Sequence, residues 1–266
     1  MRQRIIAFFL GFIGFSLMIG LWWLASARGW VESYALPSPP VVAKAFVSYL
    51  KGDLGAGTGA YAFHDHAMAS LRRVVLGLGL GVMIGISLGL LVGHWRRLGQ
   101  ILDPPLESIR AIPGIAWMPL SMLWFGIGTG CAVFLIALAV IFPVYLGTRD
   151  AVRSVPERKI QTARMLGLRR WAILLRLILP ACLPRIVVAI RIGIGLSWAY
   201  VVLGELSGAE TGLGATIIDG RTQGSSELMV VGMIGVAIMG LVSSAAFELL
   251  LRLVDRRGRL TGWRKS

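Results

Sequence analysis

The sequence predicts an all-α membrane protein of six transmembrane helices in a single domain, residues 1–266, and three observations carry that prediction. Apolar residues make up 56% of the chain and charged residues only 15%, whereas a soluble domain carries about a quarter charged residues. The apolar residues are gathered into uncharged runs, and about 20 helical residues suffice to cross the hydrocarbon of a bilayer. The basic residues then fall mainly on one side of the topology that those runs imply.

The first span is placed at 5–27, where Ile5 to Ala27 carry no charge. Arg2 and Arg4 before it and Leu24-Ala25-Ser26-Ala27 at its end resemble a secretory signal. The apolar region of a signal peptide is only about 7–15 residues, so this longer run is read as a retained helix. Trp22, Trp23 and Trp30 mark its outer interface. The segment from Arg28 to Ala67 is then external. Leu36-Pro37-Ser38-Pro39-Pro40 excludes a helix there, Val41 to Leu50 reads as a short amphipathic surface helix, and Gly52 to Gly59 reads as loose. His64-Asp65-His66 offers two histidines in a loop without a third ligand and is not read as a metal site.

The second span, 70–93, carries Gly77, Gly81, Gly85, Gly89 and Gly93, a glycine at every fourth position. That spacing leaves one helix face bare, so a neighbouring helix is expected to pack closely against it. Gly77-Leu78-Gly79-Leu80-Gly81 imitates a phosphate-binding loop but follows no strand. The uncharged stretch Ala111 to Thr148 is too long for one crossing, and Gly126 to Gly130 divides it into spans 105–125 and 130–148. The first of these contains Arg110, Pro113 and Pro119. Prolines inside a membrane helix free backbone carbonyls that face protein or a watery path. Arg110 is placed either at the interface by snorkelling or on that path.

Residues 149–180 form a basic loop with its own helices. Ser154-Val155-Pro156-Glu157 reads as a capping box, a helix follows from Glu157 to Leu166, and Gly167 supplies the left-handed turn that ends it. A second loop helix is expected from Arg169 to Leu179, bounded by Pro180. The fifth span, 184–204, is interrupted by Arg191 and closed by Glu205, and the sixth is 228–251. An external loop, Ser207 to Glu227, lies between them.

With the N-terminus inside, 21 of the 27 Lys and Arg lie on the cytoplasmic side, and only Arg28, Lys44, Lys51, Arg72, Arg73 and Arg221 lie opposite. This positive-inside asymmetry accounts for the net charge of +14 without nucleic acid and places both termini in the cytoplasm. Cys131 and Cys182 sit in or beside apolar segments and read as small packing residues.

The run Gln161-Thr162-Ala163-Arg164-Met165-Leu166-Gly167, continuing to Leu177-Ile178-Leu179-Pro180, resembles the EAA signature of binding-protein-dependent ABC permeases. Ala163, Gly167, Leu179 and Pro180 match it in register, while Gln161 and Thr162 replace its first two letters and Leu177 replaces an Ile. Leu36-Pro37-Ser38-Pro39, Ser70-Leu71-x-Arg73, Arg110-x-Ile112-Pro113, Leu123-Trp124-Phe125-Gly126-Ile127, Phe142-Pro143 and Glu205 with Gly212-Leu213-Gly214 follow in the order seen in the nitrate/sulfonate/taurine branch, especially its aliphatic-sulfonate permeases.

The resemblance implies a type I ABC importer permease of the MetI-like fold, multi-pass in a bacterial inner membrane. Gln161, Thr162, Ala163, Gly167, Leu179 and Pro180 then form the contact to the ATPase, and Arg110, Pro113, Arg191 and Glu205 are candidates for the translocation path. Its partners are a dimer of cytoplasmic ATPase subunits, a second permease copy, a periplasmic or lipid-anchored substrate-binding protein and membrane lipids. No cofactor is expected. The chain is not itself expected to be an enzyme, because no Lys follows a glycine in the Gly-Lys-Ser/Thr pattern that binds ATP phosphates. The solute would be a small oxyanion: an aliphatic sulfonate, nitrate, taurine or bicarbonate. A secondary transporter driven by an ion gradient is the alternative, but no internal repeat is evident and Glu205 is the sole acidic residue near the end of the fifth span.

Overall fold

The computed structural model describes residues 2–32, 34–52 and 62–254, and every regular element among them is helical. In chain order these are α1 (Arg2–Ala27), α2 (Pro39–Lys51), α3 (Phe63–His94), α4 (Arg96–Ala111), a 3-10 turn (Gly114–Trp117), α5 (Met118–Phe125), α6 (Thr129–Arg153) and α7 (Glu157–Met165). Then come α8 (Arg170–Ile173), a π-helical turn (Leu174–Ile178), α9 (Leu179–Glu205), α10 (Leu213–Thr222) and α11 (Ser226–Val254). Among the described residues, four stretches are long and apolar enough to cross a bilayer: Phe63–His94, Thr129–Arg153, Trp171–Glu205 and Ser226–Leu253. The 26-residue α1 stands before them.

The core is built on α3 and α6, which run parallel. A Cβ on Gly77 would strike Ile136, one on Gly81 would strike Val140, and Gly85, Gly89 and Gly93 meet Val144, Thr148 and Val152 in the same way. Both helices advance by four residues at each step, so the bare face of α3 takes the branched face of α6 as a matched row. Without a hydrophobic drive between helices in lipid, this close approach is what holds them. From the other side α9 crosses α6 antiparallel, with Gly204 over Ala132 and Ala189 against Gly147. Val74, Ile136, Val140, Val144, Trp198 and Leu213 form the central apolar cluster.

Replacing Gly85 by Leu is expected to lower folded yield and melting temperature in detergent. Even a Cβ there would lie 2.9 Å from the Ile141 carbonyl oxygen and 2.9 Å from Val144, and overpacking of this kind costs about 1–3 kcal/mol. Gly79, where a Cβ meets nothing within 4 Å, supplies the control, and equal melting of the two leucine variants would refute the ladder's role.

Several expected boundaries differ. The predicted span 105–125 is not one helix: α4 ends at Ala111, Ile112 and Pro113 are extended, and the chain re-enters helix through a 3-10 turn. Pro113 cannot continue the helix and biases Ile112 away from helical geometry. Pro104 and Pro105, by contrast, are accommodated inside α4. The second span starts earlier than expected, at Phe63, so His64, Asp65 and His66 lie on its first turn rather than in a loop. Ser154 does not cap α7: its hydroxyl donates to the Ala151 carbonyl at 2.7 Å, finishing α6, and Pro156 holds the cap position. Pro180 does not end a loop helix. The chain widens into the π turn just before it and runs on into α9, a wider turn that relieves the clash a proline makes with the carbonyl four residues back. The segment after Glu205 carries α10, which pairs with α11 as a helical hairpin. Most of the loose Gly52 to Gly59 segment, and the basic residues Arg256, Arg257, Arg259, Arg264 and Lys265, lie outside the described residues.

Candidate functional site

The short helix α7 (Glu157–Met165) is the first candidate. Glu157 stands in its first turn and Arg164 in its last, each matching the helix dipole. Its end is a complete left-handed cap: Gly167 has φ +78°, its N–H reaches the Arg164 carbonyl at 2.9 Å, and the Leu168 N–H reaches the Ala163 carbonyl at 3.2 Å. Ala163 is buried against Ile173, Leu174 and Ile178, with Leu179 packed on the same cluster. The opposite face is open. Gln161, Thr162 and Gly167 are exposed, and Met165 and Leu166 are 88% and 76% exposed. Two large apolar side chains thus stand in water beside a rigid cap.

The broken segment between α4 and α5 forms the second feature. Arg110, Pro113, Trp117, Phe142, Pro143 and Tyr200 line a cleft of about 400 Å³. Its α6 wall runs from Leu138 to Leu146, the middle of that 25-residue helix. Irregular backbone at such depth is tolerated where it is buried in protein or lines a watery cavity. Arg110 makes no hydrogen bond or ion pair with any described residue, so its guanidinium is available to the cleft. Of the four residues expected on a path, only Arg110 and Pro113 meet here. Arg191 lies 4.0 Å from Glu248 on α11, and Glu205 is wholly buried elsewhere.

Glu205 belongs to a closed polar cluster at the end of the bundle opposite α7. Its carboxylate accepts from Arg73 Nη1 at 2.7 Å, from the Ser70 hydroxyl at 2.7 Å and from the Gly214 N–H at 2.8 Å. Ser70 Oγ in turn accepts from the Leu213 N–H at 2.9 Å, Arg73 also donates to the Thr211 carbonyl, and the His66 ring meets Gly212. The cluster thus stitches α3 and α9 to the turn that enters α10.

A second cluster sits at the α7 end. Asp103 of α4 accepts from Tyr145, from Arg149 at 2.9 Å and from Arg153 at 3.2 Å. Its partial burial opposes ionisation, yet the hydrogen bonds from Tyr145, Arg149 and Arg153 prevail and hold its carboxyl below the usual carboxylate range. A depressed native value means that the stabilisation is present above the unfolded-state value and is lost as pH falls through the native one. Asp103→Asn is therefore expected to lower the melting temperature at neutral pH, by the equivalent of about 2 kcal/mol, with the deficit shrinking as the medium is acidified through the carboxylate range. A deficit that does not change with pH would mean that packing, not charge, is what the variant loses.

The sequence pattern puts Arg73 on the outer side, takes Ser70 and Arg73 only as part of a family motif, weighs His66 only as a rejected metal ligand, and assigns nothing to Asp103 or Tyr200. A signal was present for one of these: Arg73 interrupts an apolar helix, and Glu205 is the acidic residue available to answer it. Nothing local pointed to Tyr200.

The model of the binding-protein-dependent transport system inner membrane component family matches residues 81–260. SsuC of Bacillus subtilis (strain 168), a permease protein assigned to aliphatic sulfonates transport, is 32% identical over 94% of this chain and 86% of its own. The taurine transport system permease protein TauC of Escherichia coli (strain K12) is 32% identical over 93% of this chain and 87% of its own. Among solved structures, an inward-facing form of the MetNI methionine ABC transporter superposes with a TM-score of 0.63, covering 72% of this chain and 95% of that one at 22% identity.

Proposed function

Because the chain belongs to the family of binding-protein-dependent transport system inner membrane components, we propose that it forms one half of the translocation path of an ATP-driven importer for a small oxyanion-type solute, with an aliphatic sulfonate favoured over taurine, nitrate or bicarbonate. It is a multi-pass membrane permease of the MetI-like fold and not an enzyme. The observation that carries the importer reading is α7: a capped helix, anchored through Ala163 and presenting Gln161, Thr162, Met165 and Leu166 outward. A dimer of ATPase subunits docks on that face, and its closure on ATP moves α7 together with the ends of α6 and α9. A second copy of the permease covers the exposed face around Ile115, Leu123 and Trp124 and closes the Arg110 cleft into a path. A substrate-binding protein delivers solute at the Glu205 end, which lies outside the membrane, while both termini lie in the cytoplasm.

In this reading Arg110 holds the anionic group by charge, and the aromatic and proline walls give an alkyl portion an apolar surface. The preference for a sulfonate rests on that pairing and on likeness to SsuC. The test is uptake into vesicles that contain the permease, its ATPase and its binding protein, using labelled ethanesulfonate, taurine, nitrate and bicarbonate. Uptake that requires internal ATP and survives ionophores is expected, with ethanesulfonate fastest. Uptake driven by an ion gradient without ATP would overturn the reading. Reporter fusions at Lys159 and Ser226 are expected to report cytoplasmic and external locations respectively.

A further inference from the structure

At the α7 end, two clefts share a wall made by Arg96 and Arg153. One, of about 610 Å³, opens between the ends of α3 and α6 and the start of α7, with Glu157 on its rim. The other, of about 400 Å³, runs along α4 past Gln100 and Asp103. We infer that this pair of clefts is a binding site for the phosphate headgroup of an anionic membrane phospholipid.

Position supports this. The clefts lie where two membrane-crossing helices stop, at His94 and Arg153, which is the depth of lipid headgroups. Trp95 packs edge-on against Trp171 beside them, with ring centroids 5.2 Å apart, and tryptophan concentrates at this interface. Ile101, next in the chain to the cleft residue Gln100, and Leu175, in the π turn that ends at the cleft residue Ile178, are 68% and 57% exposed and offer apolar ground for acyl chains.

Charge supports it as well. Asp103 is already answered by Arg149 and Arg153, so it does not oppose an incoming anion. Arg96 is exposed and makes no hydrogen bond or ion pair with any described residue. Among the described lining residues, Glu157 is the acidic group on the larger cleft, and it favours seating the phosphate toward Arg96 and Arg153, away from α7. Basic pockets between membrane helices at this level bind anionic headgroups. A bound lipid would bridge the α3–α4 junction to the base of α7, so membrane composition would set how firmly the docking helix is held. This proposal requires only that the chain spans the membrane, and it stands whatever the solute.

The test uses the intact permease in nanodiscs of phosphatidylcholine with or without phosphatidylglycerol, with retained lipid counted by native mass spectrometry. Selective retention of phosphatidylglycerol is expected. Arg96→Gln should weaken that retention about fivefold, the worth of one basic contact at a membrane surface. Arg96→Lys should largely preserve it, and Arg28→Gln, at the opposite end, should leave it unchanged. Size-exclusion profiles establish that each variant is folded. Equal retention of the two lipids, or an unchanged preference in folded Arg96→Gln, overturns the site. Displacement of the retained lipid by millimolar glycerol phosphate overturns the lipid as its occupant in favour of a soluble phosphate compound.

Discussion

Arg73→Met is expected to abolish recovery of folded permease at temperatures where the wild type is stable. The guanidinium and the Glu205 carboxylate are 2.7 Å apart with side chains 7% and 0% exposed. Removing one member of such a pair strands a charge in the interior, at a cost of about 3–5 kcal/mol. That is a large part of the stability of a typical domain. The companion variant separates charge from packing. Adding Glu205→Gln to Arg73→Met keeps an oxygen for the Gly214 N–H and removes the orphaned charge, so much of the stability should return. A double-mutant cycle read by thermal melting gives the coupling between the two residues. Wild-type stability in the single variant would mean that Glu205 is held neutral and that Arg73 serves only the Thr211 carbonyl.

The second large effect is on coupling. Gly167→Asp is expected to leave insertion and melting close to wild type while reducing ATP-dependent uptake at least tenfold. The reason lies in an asymmetry at this residue. Its φ of +78° makes any side chain cost about 1 kcal/mol, but a Cβ there meets nothing within 4 Å in the isolated chain. Loss beyond the small backbone cost must therefore arise from a partner pressed against the turn. Purified complex should show ATPase activity that loaded binding protein no longer stimulates. Wild-type transport by an assembled Gly167→Asp complex would remove this turn from the coupling contact.

The features legible in sequence were those written in short-range pattern. The ladder from Gly77 to Gly93 announced a close helix contact because a four-residue period is a face, and Gly167 announced its turn because few residues adopt that geometry. The features that escaped depend on partners far away in the chain. Arg73 and Glu205 are separated by 132 positions, and an arginine near a helix end looks solvated until its partner is placed. A hydroxyl between two helices, as at Ser154, can finish one as readily as start the next, and local sequence does not distinguish the two. At Pro180 the missing donor is visible in sequence and suggests a stop, whereas the π turn that absorbs it is not visible there.

The matched row between α3 and α6 has a mechanical consequence. Each glycine of one helix is seated on a single branched side chain of the other, with a constant offset from Gly77 and Ile136 through to Gly93 and Val152. A small axial slide would drive every Cβ of the row into backbone at once, and the next permitted register is a full four residues away, about 6 Å. The two helices therefore behave as a keyed shaft, free to tilt and rotate together but locked against sliding. A displacement of the pair at the α7 end is therefore expected to reach the Glu205 end as movement of one rigid body.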